Sequence, residues 1–143
     1  MSKDILIKRL PIEIQKMIMT NDLDDILFYF LNNDISDKRL AYYLSVIGNE
    51  IDSIEFHEMV GSIYHFHFNY IEDAYDLAYY HYWRALEISD FEDSSLLNDF
   101  LMILDEPDFD MICKEHINFV ANKLIKLNPD NKLAGKYLKR YKK

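Results

Sequence analysis

The chain has 143 residues, of which 50% are hydrophobic and 29% are charged, and its formal net charge is −9. This length predicts a single domain over residues 1–143, while three glycines, three prolines and one cysteine exclude a many-stranded β fold, a disulfide framework and a cysteine-based zinc cluster. No uncharged apolar run approaches the length of a membrane span, and charges interrupt the apolar part of the N-terminus, so we expect a cytoplasmic protein.

Apolar residues recur with helical spacing along most of the chain, which predicts an all-α fold. The connections between these stripes are short, and short connections favour antiparallel neighbours. We therefore expect stacked antiparallel helical hairpins, with about seven helices in one helical domain. The stripes are Leu23, Ile26, Leu27, Phe30 and Leu31; Leu40, Tyr43, Leu44 and Ile47; Leu97, Phe100, Leu101 and Leu104; Cys113, Ile117, Val120, Leu124 and Leu127; and Ala134, Tyr137, Leu138 and Tyr141.

The ends of these helices are predicted from residues that cap or stop a helix. Such residues accept hydrogen bonds from free backbone N–H groups or adopt conformations that a helix cannot continue. The candidates are Asn21 or Asp22 before the first stripe, Ser36 before and Gly48 after the second, Asp93, Ser94 or Ser95 before the third, and Asn128 with Pro129 after the fourth.

One segment, residues 63–70, alternates aromatic side chains with His and Asn. A period of two is typical of a half-buried strand. No second strand-like segment is available to pair with it, and an isolated strand leaves backbone groups unsatisfied, so we favour a helix over residues 62–71. On a helix His65 and His67 point about 200° apart and cannot share a metal ion, whereas on a strand they would share a face.

Two segments resemble the second helix of a tetratricopeptide repeat. In residues 73–90 the small and aromatic positions of the family fall on Ala78, Tyr82, Ala85 and Leu86, although Asp90 stands where the family usually has Pro. In residues 123–131 Pro129 occupies that position, about 39 residues further on against a family period of about 34. The resemblance implies a degenerate tetratricopeptide-like stack of hairpins with a protein-binding surface.

The charge is divided unevenly along the chain. Residues 40–113 carry sixteen acidic side chains and one basic side chain, Arg84, for a net of −15, whereas residues 114–143 carry nine basic and two acidic, for a net of +7. Complementary charge speeds association and excludes wrong partners, so this acidic segment predicts a basic protein partner. Two alternatives remain: a compositional drift without a partner, and nucleic-acid binding by the basic end, which the overall acidity disfavours.

Helical spacing over residues 72–89 divides that segment into an inner and an outer side. Ala78, Tyr82 and Ala85 are predicted to pack inward. Carboxylates and two large aromatics follow the opposite side, and this mixture is typical of an interface with a charged rim. The alternative is that a neighbouring hairpin buries the Trp. The candidate partner-binding residues on this side are Asp73, Asp76, Tyr80, Trp83 and Glu87.

Two later loops continue the acidic pattern, and each places one Phe among carboxylates. We include their carboxylates in the predicted partner-binding surface. The alternative is that they cap helix N-termini, where the helix dipole favours negative charge. The residues are Asp90, Glu92 and Asp93 in the first loop and Asp105, Glu106 and Asp108 in the second.

No catalytic, metal-binding or cofactor-binding pattern is present, so we predict a protein that is not an enzyme and has no cofactor or metal. His57 and Glu58 are followed by Gly61 where a zinc-protease helix needs its second His. Cys113 and His116 could form a nucleophilic dyad, but a buried structural cysteine is the favoured interpretation. Phosphate-binding loops need glycines that this chain lacks.

In size, acidity, aromatic content and lack of catalytic motifs, the chain is similar to the acidic immunity proteins of bacterial contact-dependent inhibition and other polymorphic toxin systems. This resemblance implies a small module that neutralises a basic cognate toxin, such as a nuclease, by covering its active or substrate-binding surface. It implies no direct contact with nucleic acid or membrane. The alternative function is a tetratricopeptide-like adaptor that binds a peptide or assembles a complex, and an enzyme is the third.

Overall fold

The computed structural model describes residues 2–106, 109 and 113–141. Within these ranges the chain forms nine α-helices and one π-helix, and no β-strand. The helices are α1 (Ser2–Ile7), α2 (Ile12–Met19), α3 (Asp24–Asn32), α4 (Lys38–Ile51), α5 (Ile54–Ser62), the π-helix (Ile63–His67), α6 (Ala74–Ile88), α7 (Ser94–Ile103), α8 (Lys114–Leu127) and α9 (Lys132–Arg140).

The all-α prediction is confirmed. The five predicted stripes fall in α3, α4, α7, α8 and α9, and they contribute much of the buried core. From α4 onward consecutive helices pack on each other, while α1 packs on α4 and α3 packs on α5 and the π-helix. The helix count exceeds the expected seven because α1, α2 and α5 carry short stripes that the spacing did not reveal. The tetratricopeptide-like arrangement is not confirmed and remains a prediction.

Several helix ends differ from the predicted ones. α4 is capped by Asp37, whose carboxylate accepts from the Arg39 backbone N–H, and not by Ser36. It also continues through Gly48 and ends at Ile51, before a left-handed residue. Gly48 is buried, and a Cβ at this position would lie 3.0 Å from the Phe56 ring. The glycine therefore allows α4 and α5 to approach closely instead of stopping a helix.

Of the other predicted helix ends, the start of α3 differs from the prediction, whereas the start of α7 and the end of α8 agree with it. α3 follows Leu23 and has no side-chain cap, so Asn21 and Asp22 do not serve that role. Asp93 caps α7 as predicted, accepting from the backbone N–H groups of two following residues at 3.0 and 3.2 Å. α8 ends at Leu127, as predicted.

Residues 62–67 of the segment with alternating aromatics are helical, as predicted, but residues 63–67 form a π-helix where a regular helix was expected, and residues 68–71 form a turn outside any helix. The Phe68 backbone N–H donates to the Ile63 carbonyl, five residues earlier, at 2.9 Å. The two histidines of this segment reach different partners: His65 lies 3.3 Å from the Tyr82 hydroxyl, and His67 lies 2.6 Å from the Ile35 carbonyl. The strand alternative, in which they would share a face, is wrong.

Helices α5 and α6 pack closely against each other. Gly61 lies against the Tyr82 ring so closely that a Cβ would stand 2.6 Å from it. Ala78, Tyr82 and Ala85 are fully buried, which confirms the predicted inner side of α6. The opposite side of α6 is consequently left to form a surface with the elements beside it.

Candidate functional site

The outer side of α6 forms a shallow groove of about 290 Å³. Of the five residues predicted on that side, four line this groove together, which agrees with the helical spacing from which they were selected. Asp73 lies just before α6 and lines an adjacent groove that shares Asp76. The groove is lined by Asp76, Tyr79, Tyr80, Trp83, Arg84 and Glu87.

Aromatic side chains form the floor of this α6 groove. The Trp83 indole stacks on the His116 ring of α8 with 3.6 Å between ring centroids and 12° between planes, and it also contacts Phe91. One face of the indole is thus covered by neighbouring elements, as the alternative interpretation proposed. Tyr80 remains 49% exposed, and its hydroxyl donates to Asn49 Oδ1 at 3.0 Å. These contacts hold both rings in fixed orientations.

The rim of the α6 groove carries both signs of charge. The Arg84 guanidinium donates to both Asp52 oxygens, at 2.9 and 2.6 Å, and lies 3.4 Å from a Glu87 oxygen. The hydrogen bonds from Arg84 and then His57 hold the pKa of Asp52 well below its usual range. Glu87 is exposed but shares the guanidinium, and Asp76 is half-buried, so neither is a fully free surface charge.

Behind Asp52 a chain of hydrogen bonds that was not predicted from the sequence enters the core. His57 Nε2 lies 2.7 Å from Asp52 Oδ1, and the Nδ1 atoms of His57 and His81 lie 2.9 Å apart. His81 Nε2 lies 2.6 Å from the Ser45 hydroxyl. Both histidines are fully buried, and they join α4, α5 and α6.

The acceptor at one end fixes the direction of the first hydrogen bond in this chain. The Asp52 carboxylate only accepts, so His57 Nε2 donates to it. In the arrangement with two neutral imidazoles, His57 Nδ1 accepts from His81 Nδ1, and His81 Nε2 accepts from the Ser45 hydroxyl. Burial, and then the neighbouring His57, lower the pKa of His81 to about 3, which agrees with this arrangement.

The chain has the residue types of a serine hydrolase but not the access that such an enzyme needs. Ser45 is 8% exposed and faces His81 within the contact between α4 and α6. A nucleophile must reach the substrate carbonyl, so the arrangement fits a structural role. A sequence signal was present, because His57 and His81 each lie among apolar residues on the inner side of their helices.

The two acidic loops are only partly available to a partner. Asp90 is exposed in a left-handed conformation, while Glu92 lies 3.7 Å from Lys123 Nζ. Asp93 is occupied as the cap of α7, which supports the capping alternative for that residue. The first loop therefore contributes exposed charge near the C-terminal end of α6.

The second loop is tied to the molecule itself. Asp105 accepts hydrogen bonds from the Tyr137 hydroxyl and, at 2.8 Å, from Lys136 Nζ. Glu106 lies 3.2 Å from both His65 Nε2 and the Tyr75 hydroxyl. Asp108 lies outside the described residues. Asp105 and Glu106 do not line the α6 groove, although Phe109 of the same loop stacks on Tyr79 with 5.7 Å between ring centroids.

Cys113 and His116, the possible nucleophilic pair, form hydrogen bonds with other residues. Cys113 Sγ lies 3.5 Å from a Glu115 oxygen, and His116 Nδ1 lies 2.6 Å from the Tyr79 hydroxyl. Cys113 is half-buried and His116 is stacked on Trp83, so each side chain already has a partner that is not the other.

Two negative findings apply to the described residues. No group of three or more His, Cys, Asp or Glu side chains among residues 2–106, 109 and 113–141 is arranged to hold a metal ion. None of the helices in those ranges is both long and apolar enough to cross a lipid bilayer.

Comparisons with known proteins identify no relative. No protein-family model, no curated protein and no solved structure matches this chain.

Proposed function

We propose that this protein binds and neutralises a basic partner protein, in the manner of an immunity protein that covers a basic toxin. One observation carries the proposal. Within the part of the chain that the structure describes, seven carboxylates of the acidic segment form no ion pair. Uncompensated surface charge of one sign repels itself, and a partner of opposite sign relieves that repulsion. The seven are Glu55, Glu58, Glu72, Asp73, Asp90, Asp93 and Asp99.

The geometry supports a binding mode in which charge orients the partner and aromatic rings supply contact area. Carboxylates around α6 would occupy sites on a nuclease-like toxin that otherwise hold phosphates. The exposed ring of Tyr80 and the free edge of Trp83 would be covered on binding, and rigid aromatics are common among residues that dominate binding energy. A toxin covered in this way cannot reach its substrate.

A second candidate function is favoured by the aromatic floor of the α6 groove. Tyr79, Tyr80 and Trp83 would suit an apolar peptide, as expected for a tetratricopeptide-like adaptor. The two functions differ in their response to salt. Raising the salt from about 0.1 M to about 1 M shortens the screening length from about 10 Å to about 3 Å, which slows charge-driven association and leaves apolar contact nearly unchanged.

The proposal is tested with the product of the neighbouring upstream gene, expressed as its C-terminal domain. We expect rapid association at about 0.1 M salt, a decline of tenfold or more in association rate at about 1 M, and rescue of growth when both proteins are expressed. A neighbour that is not basic, or that binds at a rate indifferent to salt, contradicts the immunity function. Indifference to salt together with tight binding of an apolar peptide supports the adaptor.

Neutralising the α6 surface provides the matched comparison. Three exposed carboxylates near α6 are changed in one variant, Asp73→Asn, Glu87→Gln and Asp90→Asn. The control variant removes the same number of charges elsewhere with Asp4→Asn, Asp34→Asn and Asp130→Asn, all of which are exposed. We expect the first variant to lose binding and rescue, and the control to keep both with an unchanged thermal midpoint.

A further inference from the structure

A second groove lies between α3 and α5, on a part of the surface outside the predicted partner-binding residues. Its volume is about 290 Å³. Apolar side chains from both helices line it, and among them Phe28 is 55% exposed. The lining residues are Asp24, Leu27, Phe28, Glu58, Met59 and Ser62. We refer to the groove that these residues line as the α3–α5 groove.

Carboxylates surround the α3–α5 groove without any cation among the described residues. It shares Asp24 with an adjoining groove of about 260 Å³, and Asp93 and Asp99 of the α7 region act electrostatically on Glu58. In contrast with the α6 groove, where Arg84 faces Glu87, no Lys or Arg in the described ranges pairs with these carboxylates. The adjoining groove adds Asp22, Asp25 and Glu55.

Two partly buried carboxyl groups, Glu58 in the groove and Asp99 of α7, have raised pKa values. Burial, followed by the charges of Asp99, Asp93, Asp24 and Glu55, raises the pKa of Glu58 to about 7. Burial and then Asp93 raise the pKa of Asp99 to about 6. A cation placed beside Glu58 would oppose the smaller cause of its shift, the repulsion from neighbouring carboxylates, because an opposite charge favours the ionised form.

We propose that the α3–α5 groove is a docking site for a cationic amphipathic segment of the basic partner. An apolar side chain of that segment packs on Leu27, Phe28 and Met59, and its Lys or Arg side chains meet Asp24 and Glu58. This inference rests on the proposed function and names a surface for it. Charge complementarity selects the occupant, because a neutral or acidic segment would bury the carboxylates further without compensating them.

A defined probe tests the groove without the natural partner. The probe is a synthetic helical peptide of Leu and Lys, compared with the same peptide in which Glu replaces Lys. Backbone and methyl NMR spectra of the full chain are recorded during titration at about 0.1 M salt. We expect the Lys peptide to shift signals of Leu27, Phe28 and Met59 and the Glu peptide to shift none.

Variants then separate the two grooves. The double change Asp24→Asn with Glu58→Gln removes charge from the α3–α5 groove, and Glu87→Gln with Asp90→Asn removes as much from the α6 side. We expect the first pair to weaken binding of the Lys peptide about tenfold and the second about twofold or less. Phe28→Ala is expected to weaken it several-fold, while Ile12→Ala, an equally exposed apolar residue at 57%, leaves it unchanged.

A pH series adds a readout that bulk charge attraction does not give. Wild-type affinity for the Lys peptide should rise about threefold from pH 6 to pH 8 as Glu58 ionises, and most of this rise should be lost in Glu58→Gln, where Asp99 alone of the two still ionises in the lower part of the range. Salt is held constant throughout, and the unfolding midpoint of each variant is measured so that loss of fold is recognised.

The outcomes distinguish this inference from the proposed function. Signals that shift only around α6, or a larger loss from the α6 pair, overturn the groove assignment and leave the proposed function intact. Shifts spread over the whole acidic surface overturn it as well. Self-association that Asp24→Asn with Glu58→Gln abolishes would show that a second copy fills the groove. A neighbouring gene product that fails to bind at all overturns the proposed function itself.

Discussion

At the residue scale the most specific arrangement is the buried chain from Ser45 through His81 and His57 to Asp52. Each side chain in this arrangement hydrogen-bonds to the next, so the two buried imidazoles add little unfavourable free energy to the folded state. Within the described ranges every buried side-chain nitrogen or oxygen has a hydrogen-bond partner. Arg84 bonds Asp52 from the outside, and the chain therefore links the rim of the α6 groove to the contact between α4 and α6.

We predict that members of this chain stabilise the fold as a unit. His81→Leu leaves the Ser45 hydroxyl and one His57 nitrogen buried without partners, which costs about 1–3 kcal/mol for each group. Ser45→Ala leaves only His81 Nε2 unpaired and should cost about 1 kcal/mol. Because both changes break the same hydrogen bond, the double variant should be less destabilised than the sum, by about 0.5–3 kcal/mol.

Urea unfolding of the four proteins in this cycle measures the coupling. Ser95→Ala is the control, since Ser95 is exposed on α7 and its change should remain within about 0.5 kcal/mol. Strict additivity of the two core variants would show that Ser45 and His81 do not depend on each other.

At the element scale, features that depend on a single helix could be predicted from the sequence. The stripe spacing located α3, α4, α7, α8 and α9, and the division of α6 into two sides followed from the same periodicity. Features set by a second element could not be predicted. Gly48 resembles a helix stop until Phe56 of α5 is placed against it, and the partners of His65 and His67 in the π-helix lie on other parts of the chain.

The close approach of α5 and α6 gives a prediction with an internal control. In Gly61→Ala the added methyl group would lie 2.6 Å from the buried Tyr82 ring, so α5 or the ring must move. We expect a loss of about 1–3 kcal/mol in the free energy of unfolding.

The same change in α9 should have the opposite sign. A Cβ at Gly135 meets nothing within 4 Å, so Gly135→Ala is expected to gain about 0.5–1 kcal/mol from helix propensity alone. Chemical unfolding compares the two variants. Equal effects at both positions would contradict the tight crossing at Gly61.

At the scale of the whole molecule the basic C-terminal segment contacts part of the acidic segment that precedes it. Lys136 of α9 pairs with Asp105, and Lys123 of α8 lies near Glu92, so the basic end compensates one edge of the acidic segment. Among the described residues, no Lys or Arg forms an ion pair with the carboxylates that line the α3–α5 groove. This groove could not be predicted from the sequence because Asp24 and Glu58 are 34 residues apart and no single-helix periodicity relates them.

The uncompensated charge predicts a pH dependence of stability that one substitution isolates. The pKa of Glu58 is raised from 4.5 to about 7 in the folded chain, so above pH 7 this carboxyl is ionised in both folded and unfolded chains. The burial and the neighbouring carboxylates that oppose its ionisation then lower the free energy of unfolding by their full amount. Below pH 4.5 the carboxyl is protonated in both states and the cost is absent. Glu58→Gln should therefore be more stable than wild type by about 1 kcal/mol at pH 8, after allowance for solvent screening, and equally stable at pH 4.

Unfolding midpoints from pH 4 to pH 8 measure the difference between the two proteins. Glu72→Gln, an exposed carboxylate before α6, should differ from wild type by less than about 0.5 kcal/mol at every pH. The gain for Glu58→Gln should grow through the interval from 4.5 to 7, where the folded chain holds more protons than the unfolded chain. A gain that is constant with pH would mean that the glutamine improves packing, and that the carboxylates around the α3–α5 groove do not strain the fold.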